Sequence, residues 1–431
     1  MPFVNFGEKV TADWVGERGV ITVDRAGIIS VGELNHGLTW MEDVLNGRSL
    51  NYSETSPLYA YHANETIKVN VKSTFVLILA LTAPSFGFAQ NVKRSQELSM
   101  TSAAPEPRVV MEEVFVPATD PGIQIYVRNK HVVGTSHFRP EKTVLFVHGA
   151  TYPSESTFDL PLGGLSWMDY IAQRGYDVYL MDVRGYGRST RPPQMSEPPD
   201  QSPPIVDTET AVQDISAVVN HILARRNLQK LDLLGWSWGS VTVAGYTAAN
   251  PGKVERLAMY APLWLIETAS ASKVNAPQGA YRTVLRDAAL NRWTTGVPEN
   301  KKGELIPAGW FDQWWEANLE TDPVGSKQNP PVLRAPNGVF DDRQKFWASG
   351  KPTYDPAKIT SPVLLIQAEW DQKALPYMSR ALFPLLVNVP EKRYVMIGEG
   401  THFVMLEKNR MELFREVQAF LDEGVGATTP N

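Results

Sequence analysis

The stretch Leu231-Asp232-Leu233-Leu234-Gly235-Trp236-Ser237-Trp238-Gly239 decides the fold. Its first four residues form a short apolar run, and the pentapeptide that follows has the spacing G-x-S-x-G. This spacing is typical of a nucleophile elbow, a sharp turn between a strand and a helix with the serine at its apex. Glycines flank Ser237 because strand and helix approach too closely there for a Cβ atom. An ordinary Gly/Ser turn would also fit, so the rest of the chain must decide.

Regular patterns on both sides of the elbow predict alternating strands and helices. Alternating apolar residues predict antiparallel strands at 110–116 and 123–127. Apolar runs predict further strands at 143–147, 177–181, 254–261, 362–367 and 392–397. Apolar residues at helical spacing or capping residues predict helices at 166–174, 207–226, 240–249 and 407–421. The alternation predicts an α/β fold with a mostly parallel, doubly wound sheet, its core formed by residues 109–262 and 362–425.

The alternation stops for about 100 residues between Pro262 and Pro362. We interpret residues 263–361 as a helical cap, or lid, inserted between two late strands, at the edge where open α/β sheets bind ligands. Tryptophans are frequent in this stretch, which contains Trp264, Trp293, Trp310, Trp314, Trp315 and Trp347. They either fill the core of the cap itself or face a ligand.

The segment before the core has the layout of a secretory signal peptide. Lys72 precedes the apolar run 75–83, and Pro84 and a small-x-small site at 87–89 follow it. The run is shorter than the roughly 20 residues that cross a bilayer. A buried strand or helix of a globular domain is the alternative interpretation.

We therefore expect a signal peptide at 71–89 and a linker at 90–108. Residues 1–70 then represent either an artefact of a misplaced start codon or a genuine extension, and we expect them to be poorly ordered and dispensable. The protein is expected to be periplasmic or secreted if the signal peptide is used, and cytoplasmic otherwise.

Composition excludes several kinds of chemistry. The chain of 431 residues has no cysteine, so disulfides, thiolate nucleophiles and cysteine metal sites are excluded. Its seven histidines show no metal-binding spacing such as H-E-x-x-H, and we expect no metal and no cofactor. The formal net charge of −6 and the lack of a long Lys/Arg run argue against a nucleic-acid partner.

Two further residues complete a candidate catalytic triad with Ser237. Asp371 and His402 each follow one of the last two strands of the core. Parallel strands end at the same edge of a sheet, so the three side chains should meet there. Glu369 and Glu399 lie close by in sequence, and either could replace Asp371 as the acid that orients the histidine.

These pieces resemble the α/β-hydrolase family over about residues 109–425. The resemblance is carried by the elbow, the order serine–acid–histidine, His148-Gly149 and the segment 182–189, which reads D-V-R-G-Y-G-R-S. It implies a serine esterase or lipase-like enzyme with a cap insertion. We expect His148 to be structural, and Asp182 and Arg184 to brace loops of the sheet.

The chemistry of acyl transfer assigns a role to each candidate. Ser237 attacks, His402 acts as general base and then general acid, and Asp371 orients the imidazole. The backbone N–H groups of Trp238 and Ala150 are expected to form the oxyanion hole.

We expect a small-molecule carboxylic ester as substrate, and the aromatic cap suggests an apolar or aromatic one. An amidase, a lactonase or a carbon–carbon hydrolase would use the same machinery, since one fold and triad serve many reactions. A non-catalytic ligand-binding protein on the same scaffold is a further alternative. No membrane span is expected, and the sequence does not indicate an oligomeric state.

Overall fold

The computed structural model describes residues 3–4, 12–16, 19–23, 29–32, 107–267 and 279–423. The chain divides into two compact units, residues 1–98 and 99–431. The expected signal peptide at 71–89 and nearly all of the expected linker lie outside the described residues. None of the described helices combines the length and the apolar character needed to cross a bilayer.

The first unit contains a four-stranded antiparallel sheet in the order β1-β2-β3-β4. Its strands are β1 (Phe3–Val4), β2 (Ala12–Gly16), β3 (Gly19–Val23) and β4 (Ile29–Gly32). The sequence patterns predicted none of them. That residues 1–70 are dispensable stays a prediction.

An eight-stranded sheet forms the centre of the second unit, in the order β14-β13-β10-β9-β7-β8-β6-β5. Its strands are β5 (Val109–Pro117), β6 (Gln124–Val132), β7 (Thr143–Val147), β8 (Asp177–Met181), β9 (Leu231–Trp236), β10 (Val254–Tyr260), β13 (Val363–Ala368) and β14 (Lys392–Ile397). The six strands from β14 to β8 run parallel, whereas β6 is antiparallel to β8 and β5 is antiparallel to β6. The predicted α/β fold class is confirmed.

Helices cover both faces of this sheet. They are Ser154–Phe158, Trp167–Ala172, Thr208–Arg226, Trp238–Ala249, Pro376–Leu382 and Arg410–Glu423. Ile215 and Val241 belong to the apolar core on one face, and Ile171 and Phe414 belong to the core on the other. The strands between them are buried on both sides, which explains their continuous apolar sequences.

Two helix boundaries differ from the sequence prediction for local reasons. The helix after the elbow begins at Trp238 rather than at residue 240, because the serine of the elbow is itself the N-cap. The last helix begins at Arg410 rather than at residue 407, because Val404–Leu406 forms a separate 3-10 turn.

The cap lies between β10 and β13. The sequence suggested a helical cap, but the structure contains strands as well as helices there. Its helices are Arg286–Thr294, Lys302–Leu305, Trp310–Glu320 and Gly338–Lys345. It also contains an antiparallel pair, β11 (Tyr281–Leu285) and β12 (Val332–Pro336). The pattern missed β12 because a charged residue, Arg334, is buried in it and pairs with Asp322 at 2.7 Å.

Candidate active site

The elbow places Ser237 at the carboxyl end of β9 in a conformation that few residues adopt. Its backbone has φ 57° and ψ −121°, and the Ser237 N–H donates to the Tyr260 carbonyl at 2.9 Å. A Cβ atom on Gly235 would lie 2.3 Å from the Gly239 carbonyl oxygen, and one on Gly239 would lie 2.3 Å from the Val147 carbonyl oxygen. Glycine is therefore required at both positions, and the crowding holds the strained serine in place.

The structure brings Ser237, His402 and Asp371 together. His402 Nε2 lies 2.8 Å from Ser237 Oγ, and His402 Nδ1 lies 2.7 Å from Asp371 Oδ2. The other carboxylate oxygen of Asp371 accepts the N–H groups of Lys373 at 2.7 Å and Ala374 at 2.9 Å. The Asp371 side chain is fully buried. These contacts fix both the carboxylate and the plane of the imidazole.

The two alternative acids are bound elsewhere. Glu369 Oε2 accepts the Glu399 N–H at 2.9 Å, and Glu399 pairs with Lys301 at 3.0 Å and with Lys408 at 3.5 Å. Asp371 is thus the acid that the structure places against His402.

The loop that carries His402 is attached to the sheet by two aromatic side chains. Trp236 Nε1 donates to the His402 carbonyl at 2.9 Å, and the Tyr260 hydroxyl donates to the Thr401 carbonyl at 2.9 Å. Trp236 belongs to β9, the strand that leads into the elbow, and Tyr260 belongs to its neighbour β10. The position of the imidazole therefore depends on the same strands that position the serine.

A buried carboxyl group, Glu407, connects this loop to the cap. It accepts the Thr401 N–H at 3.0 Å and the Nε1–H of Trp293, a cap residue, at 3.0 Å. Its side chain also contacts the Thr401 hydroxyl. Burial raises the pKa of Glu407 to about 7, despite these hydrogen bonds to its charged form.

The two expected oxyanion donors lie beside the serine. Ala150 and Ser237 line the same cavity, and Trp238 begins the helix that follows the serine. Among the described residues, neither the Ala150 N–H nor the Trp238 N–H has a hydrogen-bond acceptor. The next residue, Thr151, has φ 97°, and its hydroxyl accepts a hydrogen bond from Arg282 of the cap. This contact anchors the loop that presents Ala150.

His148 lies away from the reacting atoms, in a structural position. Its Nδ1 lies 2.6 Å from the Gly149 carbonyl, and its Nε2 accepts the Val183 N–H at 3.0 Å. Nδ1 is therefore the donor and the ring is neutral. Burial lowers the pKa of His148, which also favours the neutral ring. The ring joins the loop after β7 to the loop after β8.

Asp182 and Arg184 brace those loops. Asp182 accepts the Ser154 N–H at 2.8 Å and the Arg188 N–H at 3.0 Å, and Arg184 binds Asp214 at 2.6 Å. Both residues thus hold backbone segments at the edge of the sheet rather than facing the serine.

A cavity of about 340 Å³ lies next to Ser237 and is bounded by the core and the cap. We call it the cap pocket. Its apolar walls are formed by Ala150, Leu263, Trp264, Ile266, Val339, Phe340, Trp347, Leu375 and Met378. Its polar lining residues besides Ser237 are Arg292, Arg343, Gln372, Lys373 and Tyr377.

The cap tryptophans divide between the two roles expected from the sequence. Trp264 and Trp347 line the cap pocket. Trp293 and Trp314 are fully buried and pack on each other and on Phe403, next to the histidine. Two of the tryptophans therefore face the site, and others form the interface between the cap and the histidine loop.

The described residues contain no group of three or more His, Asp or Glu side chains arranged to hold a metal ion. The site consists of a serine, an imidazole and a carboxylate below a largely apolar cavity. On this mostly parallel sheet, with the elbow after the central strand β9, such a site defines the class of α/β hydrolases.

Comparison with known proteins agrees with this class. The family model of the alpha/beta hydrolase fold matches residues 142–409, and the chain belongs to this family. We therefore place it among the hydrolases. The matched range includes the elbow, the cap and both other members of the candidate triad.

Individual relatives are distant. The chain is 26% identical over 277 residues to a non-heme chloroperoxidase of Burkholderia pyrrocinia, a match that covers 60% of this chain and 89% of that protein. It is 30% identical over 142 residues to a probable lipase of Schizosaccharomyces pombe, covering 30% of this chain and 29% of that protein. A solved bromoperoxidase from Bacillus anthracis is 17% identical, with a TM-score of 0.49 over 72% of this chain and all of that chain.

Sequence reasoning missed several residues around the site. Lys373 could have been suspected, because it lies two residues after Asp371 in the same loop. Arg292 and Arg343 gave no signal, because they belong to cap helices whose orientation depends on packing. Glu407 looked like an ordinary first-turn glutamate of the predicted terminal helix.

Proposed function

We propose that this protein hydrolyses a carboxylic ester through an acyl-enzyme. The observation that supports the proposal most strongly is the position of the His402 ring, with one nitrogen 2.8 Å from Ser237 Oγ and the other 2.7 Å from Asp371 Oδ2. This is the hydrogen-bonded chain that a serine needs in order to become a nucleophile near neutral pH.

In the first half of the reaction, Ser237 Oγ attacks the ester carbonyl while His402 Nε2 takes its proton. The negative charge on the resulting tetrahedral oxygen is stabilised by the N–H groups of Ala150 and Trp238, which have no acceptor among the described residues. His402 then gives its proton to the leaving alkoxide, the carbon–oxygen bond breaks and the alcohol departs. The acyl group remains on Ser237.

In the second half, a water molecule attacks the acyl-enzyme while His402 accepts one of its protons. Collapse of the second tetrahedral intermediate releases the carboxylic acid, and the proton returns to Ser237 Oγ. Asp371 keeps the Nδ1–H of His402 oriented and stabilises the imidazolium in both halves.

The similarity to a probable lipase supports an ester as the bond that is cleaved. The apolar walls of the cap pocket, among them Trp264 and Trp347, support an acyl or alcohol part with apolar character. An amide, a lactone or a carbon–carbon bond would use the same residues, and a substrate panel separates these reactions.

A short-chain p-nitrophenyl ester assay tests the proposal. In Ser237→Ala, kcat should fall at least about 10⁴-fold, because the nucleophile is lost. Ser196→Ala removes an exposed hydroxyl that does not line the cap pocket and is the matched control, which should keep wild-type activity. A fluorophosphonate should add covalently to the wild type and to Ser196→Ala but not to Ser237→Ala, as measured by intact mass. Ester turnover that persists in Ser237→Ala would contradict the serine mechanism.

A further inference from the structure

Three positively charged side chains line the cap pocket beside Ser237. Arg292 comes from the cap helix Arg286–Thr294, Arg343 comes from the cap helix Gly338–Lys345, and Lys373 comes from the loop after Asp371. Three separate elements thus each contribute a cationic residue to the lining of one cavity. All three side chains are partly buried.

Several other buried cations of the core and the cap have carboxylate partners, whereas Arg282 and Arg410 are bound by backbone carbonyl groups instead. Arg184 binds Asp214 at 2.6 Å, and Arg128 binds Asp159 at 2.8 Å. Within 107–267 and 279–423, by contrast, none of the three pocket cations forms an ion pair. The Nε atom of Arg292 is buried and has no hydrogen-bond acceptor among the described residues.

The charges of the two arginines affect the protonation of Lys373. Burial lowers the pKa of Lys373, and the charges of Arg292 and Arg343 lower it further. The carboxylate that opposes this effect is that of Asp371, whose oxygens already bind His402 and two backbone N–H groups. A buried charge without a partner is costly, and a negative charge in the pocket would offset that cost.

The walls of the pocket do not supply this negative charge. None of the described residues that line it is Asp or Glu. Glu267, directly after the lining residue Ile266, is exposed, and its backbone N–H donates to the Tyr377 hydroxyl.

We infer that the cap pocket recognises an ester that carries a second, anionic group, a carboxylate, separated from the ester by an apolar spacer. A half-ester of a dicarboxylic acid is the simplest such substrate. The apolar walls accommodate the spacer, while the two guanidinium groups and the ammonium group bind the carboxylate. This inference rests on the proposed function and adds a negative charge to the apolar or aromatic ester expected from the sequence.

The first test compares monomethyl and dimethyl esters of succinic, glutaric, adipic and suberic acid. Each pair differs in one negative charge at nearly the same shape. We expect kcat/KM for the best monoester to exceed that of its diester by about 10-fold, the size of a charge-assisted hydrogen bond. A diester that is cleaved as fast as its monoester at every chain length would overturn the inference.

The second test uses Arg343→Met together with Lys345→Met. Lys345 lies on the same helix, but it is exposed and paired with Asp341, so its loss removes the same charge outside the pocket. The monoester-to-diester ratio of kcat/KM should fall about 10-fold in Arg343→Met, through KM, and should stay at the wild-type value in Lys345→Met. An equal change of the ratio in both variants would indicate a general field effect and contradict a specific pocket contact.

Titration calorimetry with adipate separates this inference from the proposed function. Ser237→Ala should bind adipate, and Ser237→Ala/Arg343→Met should bind it about 10-fold more weakly. Binding without turnover of any ester would support the charged pocket and refute the esterase. Ester turnover with no preference for the monoester and no adipate binding would support the esterase and refute the charged pocket.

Discussion

The triad at the edge of the sheet and the cationic residues of the cap pocket differ in how many partners their polar side chains have within the protein. Asp371 accepts three hydrogen bonds, and His402 is bound through both ring nitrogens. Arg292, Arg343 and Lys373 line the cap pocket next to Ser237, and within the described residues none of the three forms an ion pair.

This contrast separates the groups that perform chemistry from the groups that select a ligand. Catalytic groups gain from being fixed before the substrate arrives, because no reorganisation is then needed during the reaction. A cationic side chain that is already paired with a carboxylate of the protein would attract an anionic ligand only weakly. The satisfied triad and the unsatisfied cations therefore fit the two roles that the proposals assign to them.

The largest expected effect comes from breaking the hydrogen bond between Asp371 and His402 in the triad. In Asp371→Asn, the side-chain N–H₂ faces Nδ1 and forces the wrong tautomer on His402, so kcat should fall about 10⁴-fold. Steady-state kinetics with a p-nitrophenyl ester measures this loss.

Glu369→Gln is the control for that variant. Its carboxylate accepts the Glu399 N–H and does not contact the imidazole, so this variant should stay close to wild-type kcat. A loss in Glu369→Gln as large as that in Asp371→Asn would mean that the acid has been wrongly assigned.

The next effect concerns Glu407, which connects the histidine loop to the cap. Its pKa is about 7 in the folded protein against an ordinary value of 4.5, so the folded state binds this proton more tightly than the unfolded chain. The contribution of Glu407 to the free energy of unfolding should therefore be largest below pH 4.5 and should decline by about 3 kcal/mol as the pH rises to about 7.

Urea unfolding at pH 5 and pH 8 checks this prediction. Glu407→Gln carries no titrating group at this position, so its stability should decline less between the two pH values. Glu412→Gln, at an exposed site of the helix Arg410–Glu423, should follow the wild type. A decline in Glu407→Gln as steep as that of the wild type would show that other groups cause the pH dependence.

The smallest expected effect concerns substrate binding by an apolar wall of the cap pocket. Trp347 lines the cap pocket with little exposed surface, and truncation to alanine removes apolar contact with the ligand. KM for the best substrate should rise about 10-fold in Trp347→Ala, with a smaller change in kcat. Trp310→Ala removes a partly buried cap indole that stacks on Arg410 rather than lining the pocket. A KM that rises in Trp310→Ala and not in Trp347→Ala would contradict this account.

The sheet and the meeting of the triad could be predicted because both depend on local patterns. Buried strands carry continuous apolar runs, and the elbow requires its two glycines, so residues 231–239 indicate a strand, a turn and a helix. Parallel strands end at one edge, which is why Ser237, Asp371 and His402 were expected to meet.

The choice of the acid and the character of the pocket could not be predicted. Three acidic residues lie in the loops after the last two strands, and only their hydrogen bonds show that Asp371, rather than Glu369 or Glu399, contacts the imidazole. The charge of the pocket depends on how the cap helices pack, which brings Arg292 and Arg343 to a residue of the core loop, Lys373. No periodicity in the sequence records that arrangement.

The cap leaves the sheet at the end of β10 and returns to it at β13, and these two strands are direct neighbours, with Ala261 N–H donating to the Ile366 carbonyl at 2.8 Å. Because the two strands are parallel, the chain must cross from the carboxyl end of β10 to the opposite edge of the sheet, where β13 begins. A chimera with a transplanted lid therefore has to keep this crossover while it redirects selectivity around the unchanged reactive serine. Any such graft has to replace two contacts at the site, the indole of Trp293 that donates to the Glu407 carboxylate and the guanidinium of Arg282 that donates to the Thr151 hydroxyl.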